Sequence, residues 1–356
     1  MPKEIDSLLN QPSEWLKGSG PLSEIVLSSR IRLARNLEKY PFTVRANRAG
    51  LQQALDVVKE GVGKAPSLRK AYVFDLTTLS EIDRQFLVER HLVSREHVLS
   101  PEGRGVVIGH GEAVSLMINE EDHIRLQVLQ SGLNLRDAWT LVDTIDDELA
   151  QALPFAYSTD WGYLTCCPTN TGTGMRASVM LHLPSLVMTK QINNVLHTIT
   201  KLGLAARGFY GEGTEASGNF FQISNQVTLG RTEEELIENI ERILTQVIEY
   251  EQTARESLLS NNRVQLEDRV WRALGILRSA RTISSQEALD LLSAVRLGVD
   301  LGLMNGTDRA AVNALFLISQ PAHLQKLEGK SLSAKERDVT RAQFIRERLS
   351  SPGKGR

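Results

Sequence analysis

Cysteine is nearly missing: the 356 residues hold two, and they are adjacent, Cys166 and Cys167. Sequence neighbours rarely pair, so no disulfide framework is on offer and a reducing cytoplasm is the natural compartment. A charge excess of one sign is missing too. The formal net charge is -2, which argues against a mainly electrostatic nucleic-acid binder. No apolar run approaches the roughly 18 residues of a membrane span. The opening Met1-Pro2-Lys3-Glu4-Ile5-Asp6 is acidic and lacks the apolar stretch of a signal peptide. Internal repeats are absent, and low complexity is confined to the tail 350–356. With 41% apolar and 24% charged residues, what remains is an ordinary globular chain able to bury a sizeable core.

Familiar catalytic signatures are absent as well. No G-x-x-x-x-G-K-[ST] loop and no H-R-D or D-F-G set occurs, and the His and Cys residues lack zinc-site spacing. Gly172 to Ala177 and Gly211 to Ala216 fit the loose G-x-G-x-x-A dinucleotide pattern. The first copy runs into an alternating, strand-like segment rather than a helix, which removes the context that would give it meaning.

The texture changes near residue 230. Before it, strand-like runs and Gly-rich turns dominate. Gly105 to Ile108 and Val114 to Ile118 flank His110-Gly111-Glu112 as a hairpin. Val179, Leu181 and Leu183 alternate with Met180 and His182 as in a half-buried strand, and Phe220 to Ser224 and Gln226 to Leu229 are further strand candidates. After it, the period is helical. Thr232 and Glu235 form a capping box ahead of an apolar stripe from Leu236 to Ile248. Further helices are expected over Ser285 to Leu301, Arg309 to Ser319 and Ala334 to Leu349. The expected class is α+β, with a largely antiparallel sheet flanked by helices and a C-terminal helical domain.

Four segments carry chemistry. Ser28-Ser29-Arg30-Ile31-Arg32 follows an apolar run, and arginines two apart on an extended segment share a face that suits phosphate oxygens. An edge strand with solvated arginines is the plainer alternative. Asn119-Glu120-Glu121-Asp122-His123-Ile124-Arg125 sets carboxylates beside an arginine, or is simply a charged turn. Tyr163 to Arg176 is a Gly/Thr-rich loop in which Cys167 precedes Pro168-Thr169-Asn170. A thiolate near cations is credible there, although a free cysteine is more often inert. Arg207-Gly208-Phe209-Tyr210-Gly211-Glu212 opens a second glycine-rich loop, suited to closing over phosphates.

Together these segments resemble the phosphagen (guanidino) kinases over about residues 24–250. The resemblance implies that Arg30, Arg32, Arg125, Arg176 and Arg207 bind the phosphates of ATP. It implies that Glu121 and Glu212 grip the acceptor guanidinium with Cys167 beside it, and that His91 lies on the adenosine side. The implied nucleotide stretches are Ser28 to Arg32, Arg176-Ala177-Ser178-Val179-Met180, and Arg207 to Glu212. Phosphoryl transfer asks mainly for positioning and charge neutralisation. A guanidinium must be oriented and relieved of a proton, for which Glu121 is the candidate base and Glu212 the orienter. Mg²⁺ is expected on ATP oxygens and water, with no protein metal ligand.

Two departures point to a protein acceptor. Only 27 residues precede Ser28, so the substrate-enclosing N-terminal domain of the small-guanidine enzymes is expected to be missing. A helical region also follows residue 250, carrying Arg337-Asp338-Val339-Thr340-Arg341-Ala342. With these departures the chain resembles the bacterial protein arginine kinases. That likeness implies a phosphoarginine-binding allosteric site at Arg337, Asp338 and Arg341. It also implies a cytoplasmic, homodimeric stress enzyme with a zinc-binding activator protein, an AAA+ unfoldase–protease and a heat-shock repressor as partners. No direct nucleic-acid or membrane contact is expected. The implied organisation is an N-terminal segment 1–23, a catalytic domain 24–254, a helical domain 255–349 and a tail 350–356. The rival readings are a kinase of a free small guanidine and a non-catalytic phosphoarginine-binding adaptor.

Overall fold

A computed structural model describes residues 2–9, 11, 13–208, 217–304 and 306–350. Among the described residues ten strands follow in chain order: β1 Val26–Arg35, β2 Tyr72–Asp75, β3 Gly105–Ile108, β4 Val114–Ile118, β5 Ile124–Ser131, β6 Tyr157–Ser158, β7 Gly162–Tyr163, β8 Met175–His182, β9 Leu204–Gly208 and β10 Phe220–Asn225. Eight form one sheet in the order β2-β3-β4-β5-β1-β8-β10-β9, and β6 pairs with β7 as a ribbon. Every neighbouring pair is antiparallel.

The sheet is built on the period of two. In β1, Ile31 and Leu33 point to one face and are fully buried, while Arg30 and Arg32 point to the other. The Ile31 face joins Leu126, Val128, Ala177, Val179 and Ile223. It is covered by helices Leu135–Ala150 and Glu233–Asn261, which present Val142, Ile145, Ile240 and Leu244. Each such side chain contributes about 1.5–3 kcal/mol when fully buried. The helix Glu233–Asn261 begins with the capping box read from Thr232 and Glu235, and it runs through position 254.

The second face is covered over β2–β4, where Phe74, Val106, Ile108 and Met117 pack with Phe86, Leu87 and Leu92, and again at one end of the central strands. There Leu27, Leu129, Met180 and Phe220 pack against Leu266, Val270, Leu292 and Phe316 of the C-terminal helices. This corrects the half-buried expectation for β8. Met180 and His182 are buried along with Val179 and Leu181, because helices lie against both faces, and His182 Nε2 lies 2.8 Å from Ser293 Oγ. Residues 226–229 form no strand. Val227 and Leu229 are exposed, and the Thr228 hydroxyl donates to the carbonyls of Thr169 and Thr171 instead. The C-terminal helices lie at Arg263–Ser279, Ser285–Asp300, Arg309–Ile318, Pro321–Glu328 and Ala334–Ser350. The first and fourth of these carried no sequence expectation, nor did Arg48–Lys64 or Leu135–Ala150 in the sheet region. Among the described residues no helix is long and apolar enough to cross a membrane.

Candidate active site

Register alone gathers the arginines. Arg32 stands opposite Gln127 of β5 and Arg176 of β8. Gln127 lies two residues from Arg125, and Arg207 of β9 faces Gln222 of β10, which faces Met180 of β8. Residues opposite each other in antiparallel strands share a face, so five arginines from four strands converge on the uncovered part of the second face. All five line one cleft of about 1060 Å³. Four of them also line an adjoining cleft of about 550 Å³ that holds Glu121, Cys167, Thr169 and Asn170.

The arginines are not equally satisfied. Arg30 donates from Nε to Ser178 Oγ at 3.3 Å and from Nη2 to Gln222 Oε1 at 2.9 Å. Burial, reinforced by Arg125 and Arg176, lowers its pKa to about 10. Arg125 pairs with Glu120 at 2.6 Å. The Nε atoms of Arg32 and Arg176 are buried with no hydrogen-bond partner. Burial, then the neighbouring arginines, depresses both guanidinium groups. An unpaired buried donor is costly, and cations packed together repel, so the cluster is complementary to a polyanion.

Glu120 and Glu121 separate in role. Burial alone would raise the Glu120 carboxyl, yet Arg125, the Ser94 hydroxyl and the Glu121 amide hold it down at about 2. It is committed to Arg125. The Glu121 carboxyl opens onto the cleft beside Cys167. Its pKa is raised, first by burial and then by the charges of Asp122 and Glu120, which suits a proton acceptor. Cys167 Sγ lies 3.0 Å from Thr169 Oγ1.

His91 lines a recess of about 20 Å³ with Trp15, Ser28, Arg30, Ser178 and Met180, and it meets the Trp15 ring edge-on at 4.8 Å. Burial, then Arg30 and Arg95, pushes its pKa down to about 3, so the ring is neutral. Ser29, Ile31, Ala177 and Val179 turn the other way. Ile31, Ala177 and Val179 are core residues, and Ser29 Oγ donates to the Gly132 carbonyl at 2.8 Å. Gly208 lies in the cleft wall. Phe209, Tyr210, Gly211 and Glu212 lie outside the described residues.

Several supporting residues carried no sequence expectation of their own. Asp122 Oδ1 accepts from Asn36 Nδ2 at 2.6 Å and from the Cys166 amide at 2.7 Å. This buried carboxylate, next to Glu121 in the chain, therefore holds the cysteine loop. The Thr43 hydroxyl donates to the Glu121 carbonyl. Arg35, paired with buried Asp146 at 2.7 Å, donates to the Thr173 carbonyl at 2.9 Å. Gly174 follows with φ +66°, where an added Cβ would lie 2.5 Å from Arg35 Nη1. Runs of acids next to a known motif were the available signal for Asp122; Arg35 and Asn36 had none beyond following the Arg30–Arg32 pair.

The C-terminal helices supply part of the cleft wall, including Ser285, Gln286, Leu289, Gln320 and Pro321. Glu89, also in that wall, accepts from the amides of Ala322 at 2.7 Å and His323 at 3.0 Å. Of the C-terminal arginine pair, Arg341 is 1% exposed. It donates to the carbonyls of Ser319 and Ile283, both at 2.8 Å, and to Asp338 at 2.6 Å. Arg337 is half-buried and donates to the Leu332 carbonyl at 2.8 Å. Neither joins the five-arginine cluster. Among the described residues no group of three or more His, Cys, Asp or Glu side chains is placed to hold a metal ion.

The likenesses to known proteins follow the same division. Residues 55–254 match the model "ATP:guanido phosphotransferase, C-terminal catalytic domain", and residues 263–355 match "Protein-arginine kinase McsB C-terminal domain". A protein-arginine kinase from Desulforamulus reducens is 49% identical over 97% of this chain and 98% of its own length. Another from Symbiobacterium thermophilum is 50% identical over 95% and 97%. The one from Bacillus subtilis is 45% identical over 95% and 93%. Among solved structures, the duplicated taurocyamine kinase from Schistosoma mansoni aligns with TM-score 0.60 and 29% identity, over 70% of this chain and 35% of that one. A lombricine kinase aligns in fold with TM-score 0.58 and 23% identity, over 70% and 77%.

Proposed function

The chain belongs to the protein-arginine kinase family of ATP:guanido phosphotransferases, and on that premise we propose how its cleft performs the transfer. It is an ATP-dependent kinase whose acceptor is the guanidinium of an arginine side chain in a protein. In our reading Arg30, Arg32, Arg125, Arg176 and Arg207 hold the triphosphate. The observation that carries this is the pair of buried, unpaired Nε donors on Arg32 and Arg176, which phosphate oxygens would satisfy. His91, neutral beside Trp15, takes the adenosine end. Mg²⁺ would be held by phosphate oxygens and water, as the ion's preference for few protein ligands permits, and would neutralise charge on the phosphates.

The acceptor enters beside Glu121 and Cys167. Glu121 orients the guanidinium and takes its proton. The freed nitrogen attacks the γ-phosphorus, an N–P bond forms, the bond to the β,γ-bridging oxygen breaks, and ADP leaves with that electron pair. Arg32 and Arg176 meet the charge spread over the transferring group, so they act in the transition state rather than merely in binding. Glu212 is the proposed second carboxylate on the guanidinium. Arg337, Asp338 and Arg341 are proposed to take phosphoarginine as an activating ligand. The wider reading is a cytoplasmic homodimer acting in stress, marking proteins for an AAA+ unfoldase–protease together with a zinc-binding activator and acting on a heat-shock repressor. Family likeness is its support.

The test is an acid-labile phosphate on a model protein incubated with ATP and Mg²⁺. Glu121→Gln is expected to lower the rate about 100- to 10,000-fold, the usual cost of a lost positioned base. Near-parental turnover would remove Glu121 from the chemistry. Free arginine or creatine accepted far better than protein would refute the protein-directed reading.

A further inference from the structure

The cysteine loop, residues 167–174, is held between two segments. On one side the β6–β7 ribbon joins it through Tyr163 and Gly172, whose amides and carbonyls exchange hydrogen bonds at 2.8 and 3.3 Å. On the other side Thr228 donates to the carbonyls of Thr169 and Thr171 at 3.1 and 2.7 Å. An added Cβ on Gly172 would lie 2.9 Å from Leu229 Cα, so the three segments touch. Both flanks expose large apolar side chains: Tyr157 at 59% and Trp161 at 56% on the ribbon, Val227 at 61% and Leu229 at 42% beyond β10. A third segment adjoins the start of the loop. Thr43 contacts Cys166 and the Glu121 carbonyl, and its neighbour Val44 is 74% exposed.

Apolar residues scattered singly over a surface need no explanation, but several on adjoining segments mark an interaction site. Their segments flank the loop whose Cys167, Thr169 and Asn170 line the cleft that holds Glu121, and Gln226, next to Val227, lines that cleft too. The mouth of that cleft is where an arginine attached to a polypeptide must enter. We propose that this rim binds the substrate polypeptide on either side of the target arginine, favouring apolar or aromatic residues within a few positions of it. An extended chain advances about 3.3 Å per residue, so residues two to five positions from the arginine lie about 7 to 17 Å from it along the chain. The polar cleft takes the guanidinium whatever its context, and the apolar rim reads the context. The inference rests on the proposed placement of the acceptor at Glu121.

The experiment compares three acceptors: a peptide with one arginine flanked by Leu and Tyr, the same peptide flanked by Gly and Ser, and Nα-acetyl-arginine amide. The parent is compared with the triple variant Trp161→Ala, Val227→Ser, Leu229→Ser, whose positions are exposed. The expected result is a KM for the apolar peptide about tenfold higher, equivalent to about 1.4 kcal/mol of binding. Its kcat, the KM for ATP and the kinetics of the other two acceptors should stay within about twofold. A photoreactive phenylalanine at position 227 should crosslink to the apolar peptide.

An unchanged peptide preference without a crosslink overturns the proposal. So does a fall in sedimenting mass of the triple variant with unchanged peptide KM, which would give the rim to a second copy of the chain. Glu121→Gln separates the two layers. If it abolishes transfer to all three acceptors while the rim variants change nothing, only the rim is refuted. If it leaves all three transfers intact, the acceptor site itself is misplaced and the rim falls with it.

Discussion

Two sets of buried arginines divide this molecule. On the sheet, Arg32 and Arg176 keep buried Nε donors without partners and crowd against other cations. In the C-terminal helices, Arg341 is more deeply buried, and its Nε and Nη1 are bonded to two carbonyls and a carboxylate. The same side chain is thus an unfinished site at Arg176, in the cleft, and a staple at Arg341. The contrast teaches that burial alone does not identify a functional cation, whereas an unmet donor in a cleft does. It also separates the Arg337–Arg341 pair. Arg341 has Nε and Nη1 engaged within the fold, and half-buried Arg337, with one bond to the Leu332 carbonyl, is the more exposed member.

The largest expected effect is at the unfinished site. Arg176→Ala should lower kcat about 100- to 1,000-fold, the usual cost of removing a preorganised charge stabiliser, while the thermal midpoint of the nucleotide-free protein holds or rises because an unmet cation has gone. Loss of stability with retained turnover would reverse the comparison.

The staple should behave the opposite way. Arg341→Ala leaves the Ser319 and Ile283 carbonyls unbonded and should cost about 3 kcal/mol, read as a lower denaturation midpoint, with kcat of the folded fraction falling far less than in Arg176→Ala. A midpoint equal to the parent's would show that Arg341 is no staple.

Arg337→Ala sharpens the pair. It should cost under about 1 kcal/mol of stability, preserve unstimulated turnover and abolish activation by added phosphoarginine. Equal stimulation of variant and parent would take the regulatory role away from Arg337.

The smallest effect concerns Asp122. Its charge helps raise the Glu121 carboxyl, so a base that must be ionised loses activity as pH falls through that raised value. Asp122→Asn keeps an oxygen to accept from Asn36 and Cys166 but removes the charge. The acid limb of kcat against pH should then move to lower pH, whereas Asp122→Ala should lower kcat by freeing the cysteine loop. An unmoved acid limb in Asp122→Asn would mean that Asp122 acts on Glu121 through geometry alone.

Much of this was legible in the chain because it is local. Alternation of arginine with Ile31 and Leu33 put the cations on one face of β1. The Thr232–Glu235 box gave the start of a helix. Glycines at 172 and 174 marked a loop whose φ values of +114° and +66° other residues rarely adopt. What stayed hidden was long-range. Asp122 stands in a run of acids, and nothing nearby shows that it bonds Asn36, 86 positions away. The strand expected over 226–229 failed because a threonine hydroxyl found carbonyls in another loop, which outweighed a β-branched and apolar composition.

The sequence alone determined the residue types and their faces: arginines at a spacing of two, a carboxylate triplet, and helices by periodicity. These follow from backbone geometry, which repeats every few residues. Only the tertiary structure decided which arginines would be left without partners, because that depends on strand register and on which carbonyls from distant segments arrive beside each guanidinium. Arg176 and Arg341 are the same residue type, and their environments, assembled from residues far away in the chain, leave one with an unmet donor in a cleft and make the other a clasp between helices.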